Sequence, residues 1–228
     1  MNPLDFDALK ETFDADGFVV IRGYLSSDEV SEMRSRLSTY RTHVDGWQGE
    51  FEGGGAVKGL DKHDEWYRDY LLGGRHIPLM KHLIEDDLVP DNVTWIDKPE
   101  GVKRTLPHYD ALGSYLSPPS GISLWIALDA IDLRNGCLHY ERGSHRRDKP
   151  KAYPLPDYDE GNPSAVAVEV EPGDAVIHSA LTVHWSGVRE EHRSRTAMVF
   201  VYWGASSKYE AAFAKRSRSG YARDRVTV

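Results

Sequence analysis

Apolar positions fall at helical spacing through most of the first ninety residues, with one continuous apolar run among them. Residues of about 5–15 read as a helix. Gly17-Phe18-Val19-Val20-Ile21-Arg22-Gly23 then reads as a short buried strand between glycines. Ser26 and Glu29 have capping-box spacing, which predicts a second helix from about 27 to 40. Gly53-Gly54-Gly55 marks a loop, and further helices are predicted near 62–72 and 78–87. From residue 91 the texture changes. Short β-type segments recur at about 92–97, 122–128, 137–141, 165–170, 174–178, 182–186 and 195–203, divided by Pro and Gly clusters. Many short strands at this spacing suggest a sandwich or barrel, and helices gathered ahead of them suggest an α+β fold. The expected architecture is a double-stranded β-helix, or jelly roll, with N-terminal helices packed on one sheet. It forms one domain over 1–228: a mostly helical part (1–90), a jelly-roll core (91–205) and a C-terminal tail (206–228). The mouth of such a barrel is the place for a small-molecule site.

Composition narrows the classes. With 40% hydrophobic and 28% charged residues the chain is globular rather than disordered. A net charge of −8 argues against nucleic acid as a partner, since that binding runs on clustered positive charge. No apolar run is long enough to span a membrane. The single cysteine, Cys137, excludes an intramolecular disulfide and reads as a small buried residue. Together with a start that lacks a signal-peptide core, it leads to the expectation of a cytoplasmic protein. The sequence is silent on oligomeric state.

The chemistry begins with His-x-Asp/Glu pairs, because two histidines and one carboxylate on one side of an iron leave three coordination positions open. On a strand, residues i and i+2 face the same way, so such a pair can grip one ion. With 10 histidines and 36 acids in 228 residues, chance supplies about 1.6 pairs. The chain has four: His43/Asp45, His63/Glu65, His108/Asp110 and His139/Glu141. The first two lie in the helical and Gly-rich front part. The last runs directly into the turn Arg142-Gly143-Ser144. His108/Asp110 opens the β block at the end of a strand, which favours it. Downstream, His184-Trp185-Ser186-Gly187 and Ser194-Arg195-Thr196 read as two arms of a hairpin with its loop near 189–190. That pairing puts His184 and Arg195 opposite each other, with Ser186 on their face. Arg suits a carboxylate because its planar fork binds two oxygens at once. His178, in an apolar strand, reads as a satisfied core histidine.

These residues, taken in order, resemble the phytanoyl-CoA dioxygenase family of Fe(II)/2-oxoglutarate oxygenases. The resemblance starts at Gly17–Gly23 and includes His108-Tyr109-Asp110, Leu124-Trp125-Ile126-Ala127-Leu128-Asp129, Asn135-Gly136-Cys137-Leu138 and Gly143-Ser144-His145. It closes with Pro172-Gly173-Asp174, His184-Trp185-Ser186-Gly187 and Arg195. It implies His108, Asp110 and His184 as iron ligands, and Arg195 with Ser186 as holders of the 2-oxoglutarate C5 carboxylate. It also implies Trp125 as a wall of that pocket. Fe(II), 2-oxoglutarate and O2 are the implied cofactor and co-substrates. The implied reaction is hydroxylation of an unactivated C–H bond, with release of succinate and CO2. Related halogenases have a small residue where Asp110 stands, so hydroxylation is favoured over halogenation. Trp185 departs from the glycine common at its position, a change expected to narrow the mouth.

Arg104, just before the first ligands, and Lys58, from the Gly-rich loop, are candidate substrate-binding residues. The basic run Arg142, Arg146, Arg147, Lys149, Lys151 reads as a solvated loop, or else as a lid that attracts an anion. The expected partner is a small polar or anionic metabolite. Two other classes compete. A cupin-like metal enzyme without 2-oxoglutarate needs the three ligands but not Arg195. A jelly-roll carbohydrate-binding module suits the Trp and Tyr content but needs no converging His and Asp.

Overall fold

The computed structural model describes residues 4–43, 56–98, 104–113, 116–188 and 193–209. The loop Gly53-Gly54-Gly55, Lys103 and most of the C-terminal tail lie outside the described residues. Four helices precede the β block, and local side-chain chemistry starts them. The Asp5 carboxylate caps α1 (Phe6–Asp16) by accepting from the Ala8 N–H, and Gly17, at φ +85°, ends it. Ser26 and Glu29 form the reciprocal capping box ahead of α2 (Ser27–His43). Asp64 caps α3 (Glu65–Gly73), and α4 (Ile77–Ile84) carries Pro78 in its first turn. The helix expected to reach 87 stops at Ile84, because Glu85 turns left-handed at φ +53°.

Three separate pairings organise the strands. The major sheet has the order β1 (Phe18–Ile21), β9 (Ala175–Ser179), β6 (Gly121–Ala127), β11 (Thr196–Gly204), β3 (Leu88–Asp97), β2 (Ala56–Lys58). The minor sheet has the order β4 (Thr105–His108), β10 (His184–Ser186), β7 (Leu138–Glu141), β8 (Ala165–Val168). A small ribbon joins β5 (Leu116–Ser117) to β12 (Lys208–Tyr209). All these pairings are antiparallel, and the two sheets do not close into one continuous barrel.

Side-chain alternation divides the major sheet into two faces. Ile122, Leu124 and Ile126 of β6, Ile177 of β9 and Met198, Phe200 and Tyr202 of β11 share one core with buried residues of all four helices, such as Phe13, Met33, Leu71 and Met80. The residues between them belong to the other face. Trp125 and Ala127, Val176, Ala197 and Val199 pack with Tyr140 and Val168 of the minor sheet. The helices therefore cover one face, and the space between the sheets is left for a site. Among the described residues no helix is long and apolar enough to cross a membrane.

Candidate metal centre and anion pocket

Antiparallel pairing of β10 with β4 sets His184 directly across from His108. The two imidazole centroids are 4.3 Å apart. Each ring is oriented by its own backbone neighbourhood. His108 Nδ1 lies 2.8 Å from the Leu106 carbonyl and His184 Nδ1 lies 3.0 Å from the Thr182 carbonyl. A carbonyl only accepts, so each Nδ1 carries a proton and each Nε2 is the ring atom turned toward the cluster. Asp110 Oδ1 stands 3.9 Å from His108 Nε2 and 3.6 Å from His184 Nε2. One ligand atom from each of the three residues lies within 4.8 Å of the others, an arrangement that can hold a metal ion. Burial, then His108, pulls His184 down to about 3, so its ring is neutral at ordinary pH. Burial alone would raise the Asp110 carboxyl, but His184, His178 and His108 outweigh it and hold Asp110 well below the usual carboxylate range. Two imidazoles and a carboxylate are the donor set that an iron(II) facial site needs.

The route of Asp110 into this cluster differs from strand alternation. His108 ends β4, and Asp110 opens a 3-10 turn (Asp110–Gly113) pinned by Ala111 N–H to the Ala180 carbonyl. The carboxylate comes round on a turn rather than standing two places along a strand.

Arg195 reaches the same cavity from the other sheet. The hairpin reading is corrected here: β10 pairs with β4 and β7, whereas β11, which follows Arg195, pairs with β3 and β6. His184 and Arg195 therefore meet across the interior rather than along a ladder. β10 ends at Ser186 in the minor sheet and β11 begins at Thr196 in the major one. Arg195 is held by its backbone. Its carbonyl accepts from Lys98 N–H, Ser194 O accepts from the Asn135 side chain, and Thr196 N–H donates to Asp129. The guanidinium is 2% exposed, lies 5.5 Å from the Trp125 ring and donates Nε–H to the Gly136 carbonyl at 3.2 Å. Gly136 has φ +86°, and a Cβ there would come within 2.8 Å of the Gly187 carbonyl. Only glycine allows that close passage. Among the described residues no carboxylate pairs with Arg195. Burial lowers its guanidinium to about 10, still charged at neutral pH.

Ser186 shares the inner face with His184, as expected. Lys98, just beyond β3, is buried and donates Nζ–H to Ser186 Oγ at 2.9 Å and to the Gly187 carbonyl. With its oxygen engaged as an acceptor, the Ser186 hydroxyl can donate its own proton to an anion. Burial, then the Arg195 charge, lowers Lys98 to about 8. Sequence reading passed over Lys98. A lysine closing an apolar strand and followed by proline was the available signal.

The triad, Arg195, Ser186, Trp125, Lys98, Lys58 and His178 line one cavity of about 340 Å³. Lys58 sits on β2 opposite Thr94, on an element that the sequence presents as loop. Arg104 is not among the lining residues. It is exposed and pairs with Glu160 at 2.7 Å. Trp185 is among the residues lining the cavity, with its strand neighbours His184 and Ser186, and its ring stacks on His139 at 5.3 Å and meets Tyr158 edge-on. The basic run is largely tied down: Arg142 to Asp16, Arg146 to the Asp14 carbonyl, Arg147 to Glu141 and Lys149 to the Ser144 and Arg147 carbonyls. Gly143-Ser144 is structural, with Ser144 Oγ accepting from Val183 N–H beside His184. Cys137 is buried, and its thiol is pushed up to about 11 by that burial. A residue with no sequence signal is Tyr153, 59% exposed, with its ring edge-on to His108 at 5.7 Å.

Comparison with known proteins agrees with this geometry. The profile described as phytanoyl-CoA dioxygenase (PhyH) matches residues 13–197. The dioxygenase lolE1 of Epichloe uncinata is 26% identical over 179 residues, covering 76% of this chain and 68% of its own. Among solved structures, the non-heme alpha ketoglutarate dependent epimerase SnoN from nogalamycin biosynthesis superposes with a TM-score of 0.77 at 22% identity, over 90% of this chain and 85% of SnoN. EvdO2 from Micromonospora carbonacea var. aurantiaca, complexed with 2-oxoglutarate, gives 0.73 at 24% identity, over 92% of this chain and 94% of its own. The chain thus belongs to the phytanoyl-CoA dioxygenase family of Fe(II)/2-oxoglutarate-dependent oxygenases.

Proposed function

We propose that this enzyme hydroxylates an unactivated C–H bond of a small polar or anionic metabolite. One observation carries the reading: a buried guanidinium with no carboxylate partner among the described residues shares a cavity with the His108–Asp110–His184 cluster. An isolated buried charge is costly, so its retention calls for an anion that arrives from outside. A metal enzyme without an oxoacid would have no use for it. A sugar-binding module would need neither the cation nor the triad.

In this reading His108, Asp110 and His184 hold Fe(II), Arg195 and Ser186 bind the C5 carboxylate of 2-oxoglutarate, and Trp125 walls its pocket. The iron with 2-oxoglutarate and O2 supplies the oxidising power, with succinate and CO2 as by-products. The chain supplies position and dryness. Nδ1–H bonds to backbone carbonyls aim both imidazoles, and apolar Ile96, Leu138, Val199 and Val201 exclude water around the reacting centre. Asp110 occupies the position that a halide would need, which favours hydroxylation.

Size and charge support the substrate class. A cavity of about 340 Å³ lies at the small end for ligand sites, and the co-substrate takes part of it. Among its charged lining residues, Lys58, Lys98 and Arg195 face Asp91 and Asp110, a surplus of one positive charge. A divalent ion and a dianionic co-substrate cancel, so the surplus remains for the substrate. Lys58 and the ring of Tyr153 are the contacts we assign to it. Arg104 stands outside the lining, and we assign it no substrate contact.

The test is succinate formation by anaerobically Fe(II)-loaded protein, given O2, 2-oxoglutarate and pools of small anionic and neutral metabolites, with His184→Ala in parallel. Substrate-stimulated succinate confined to the unaltered protein and to anionic pools is expected. Stimulation by neutral pools alone would overturn the anionic assignment. Absence of 2-oxoglutarate binding would overturn the reaction.

A further inference from the structure

We propose that His178 is a positioning residue that keeps Asp110 a one-oxygen ligand, so that three coordination positions stay open on the metal. The proposal rests on the metal assignment made above. The Asp110 carboxylate presents its two oxygens to different partners. Oδ1 faces Nε2 of His108 and Nε2 of His184. Oδ2 faces His178 Nε2 at 3.2 Å and Ser123 Oγ at 3.3 Å. A carboxylate only accepts, so His178 Nε2 carries a proton and points an N–H at Oδ2. The other ring nitrogen, Nδ1, lies 3.0 Å from the Tyr140 hydroxyl. A neutral ring protonated at Nε2 has its acceptor at Nδ1, so Tyr140 donates there. That bond locks the tautomer that Asp110 requires.

The fold builds this arrangement deliberately into its frame. Ser123 and His178 are direct partners in the β6–β9 ladder, so both donors arrive beside the same oxygen. Tyr140 comes from β7 in the opposite sheet and is fully buried. His178 itself is 3% exposed.

Coordination arithmetic gives the contact its purpose. Two histidines and one carboxylate oxygen occupy three of six octahedral positions. A carboxylate that turned both oxygens to the metal would take a fourth. The remaining two would then be filled by a chelating oxoacid, with none left for O2. Two N–H or O–H donors on Oδ2 hold that oxygen away. His178 is not itself a ligand in this scheme, because its Nε2 bears the proton. Partners of this kind set metal affinity by about 10–100-fold.

The experiment loads Mn(II) into the unaltered protein, His178→Phe and His178→Gln, with His184→Ala as the ligand control. Mn(II) affinity is read by titration, and metal-bound water is counted by water-proton relaxation. Glutamine keeps an N–H at the Nε2 position, so it separates the hydrogen bond from the bulk of the ring. His178→Phe should weaken Mn(II) about 10–100-fold and lower the bound-water count from three to two, whereas His178→Gln should restore both. Unfolding of the metal-free proteins by heat checks that the fold survives. An unchanged affinity and water count in a folded His178→Phe would overturn the proposal, as would a failure of His178→Gln to rescue. Loss of Mn(II) as complete as in His184→Ala would show His178 to be a ligand and would overturn it too. An unaltered protein that binds no Mn(II) or Fe(II) would instead overturn the metal assignment beneath it.

Discussion

Replacing Arg195 by methionine separates two roles that a buried arginine can play. If Arg195 is a structural residue, its removal should cost stability. If it waits for an anion, its removal should cost affinity and leave the ligand-free fold nearly untouched. The structure allows both magnitudes to be worked out. Burial brings the guanidinium from 12.5 to about 10. At about 1.4 kcal/mol per tenfold change in proton affinity, holding the charge there costs about 3 kcal/mol. Methionine relieves that cost. Against it stand one hydrogen bond to the Gly136 carbonyl, about 1–3 kcal/mol once the acceptor is left unpaired, and part of the contact over Trp125. These terms nearly cancel, so the ligand-free variant should melt within a few degrees of the parent. Affinity behaves differently. Truncating one side of a buried, hydrogen-bonded charge pair costs about 2–5 kcal/mol, or about 30- to 4,000-fold in the Kd for 2-oxoglutarate. The assay is anaerobic titration calorimetry on Mn(II)-loaded proteins, beside calorimetric melting with and without 2-oxoglutarate. A Kd within threefold of the parent, or a drop of ten degrees or more in the ligand-free Tm, would refute the clamp.

Three further outcomes are expected. Lys98, lowered to about 8 by burial and then by Arg195, loses its proton in the folded protein before the unfolded chain does at its ordinary 10.5. Stability from this group should therefore rise between pH 8 and 10.5, while 2-oxoglutarate affinity falls as pH climbs through about 8; Lys98→Met should flatten both profiles, and an unflattened affinity profile would exclude Lys98 from the pocket. Trp185→Ala should destabilise by about 3–5 kcal/mol in chemical unfolding, because its ring is buried between His139 and Tyr158, yet leave the KM for substrate unchanged; a lowered KM would place the ring at the mouth. Arg104→Ala, which breaks an exposed pair with Glu160, should change neither stability nor KM by a measurable amount in denaturation and steady-state assays.

The sequence carried most of the strand positions because β6, β9 and β11 are short, mainly apolar runs and turn residues bound each segment. It carried the capping box at Ser26 and Glu29 for the same reason: the signal is local. What it misled on was partnership. Nothing in the spacing of His184 and Arg195 distinguishes two arms of a ladder from two strands in facing sheets, since either puts the side chains near each other. The distinction lies in which strands lie between them, and that is set by long-range pairing of β10 with β4 and of β11 with β3. Asp110 shows the same limit. Its place two residues after His108 suits a strand, but the chain turns there because Ala111 finds its acceptor at Ala180. Lys98 and His178 were missed or read blandly because their partners, Ser186 and Asp110, are 88 and 68 residues away. Lys58 lay on a strand too short to show a period.

Lys98 and His178 also make polar contacts that cross between the sheets on either side of the site, beside the bond from Arg195 to the Gly136 carbonyl. Lys98, beyond a strand of the major sheet, bonds Ser186 in the minor one. His178 of the major sheet bonds Tyr140 of the minor one. Apolar contact between the inner faces, such as the stacking of Phe18 on Tyr140, resists separation but tolerates sliding. Hydrogen bonds are directional, so these ties together hold the register of one sheet over the other. That register sets the distance from the minor-sheet histidines to the major-sheet guanidinium, which in the proposed binding mode an oxoacid would span. The enzyme should therefore discriminate by chain length. Oxaloacetate is one carbon shorter than 2-oxoglutarate and 2-oxoadipate is one longer, and each should bind at least tenfold more weakly to the Mn(II)-loaded protein. Lys98→Met removes one tie, so it should narrow the gap between 2-oxoglutarate and 2-oxoadipate more than Arg195→Lys does, since Arg195→Lys keeps the tie and the charge. Equal binding of all three acids by the unaltered protein would mean that the sheets do not act as a ruler.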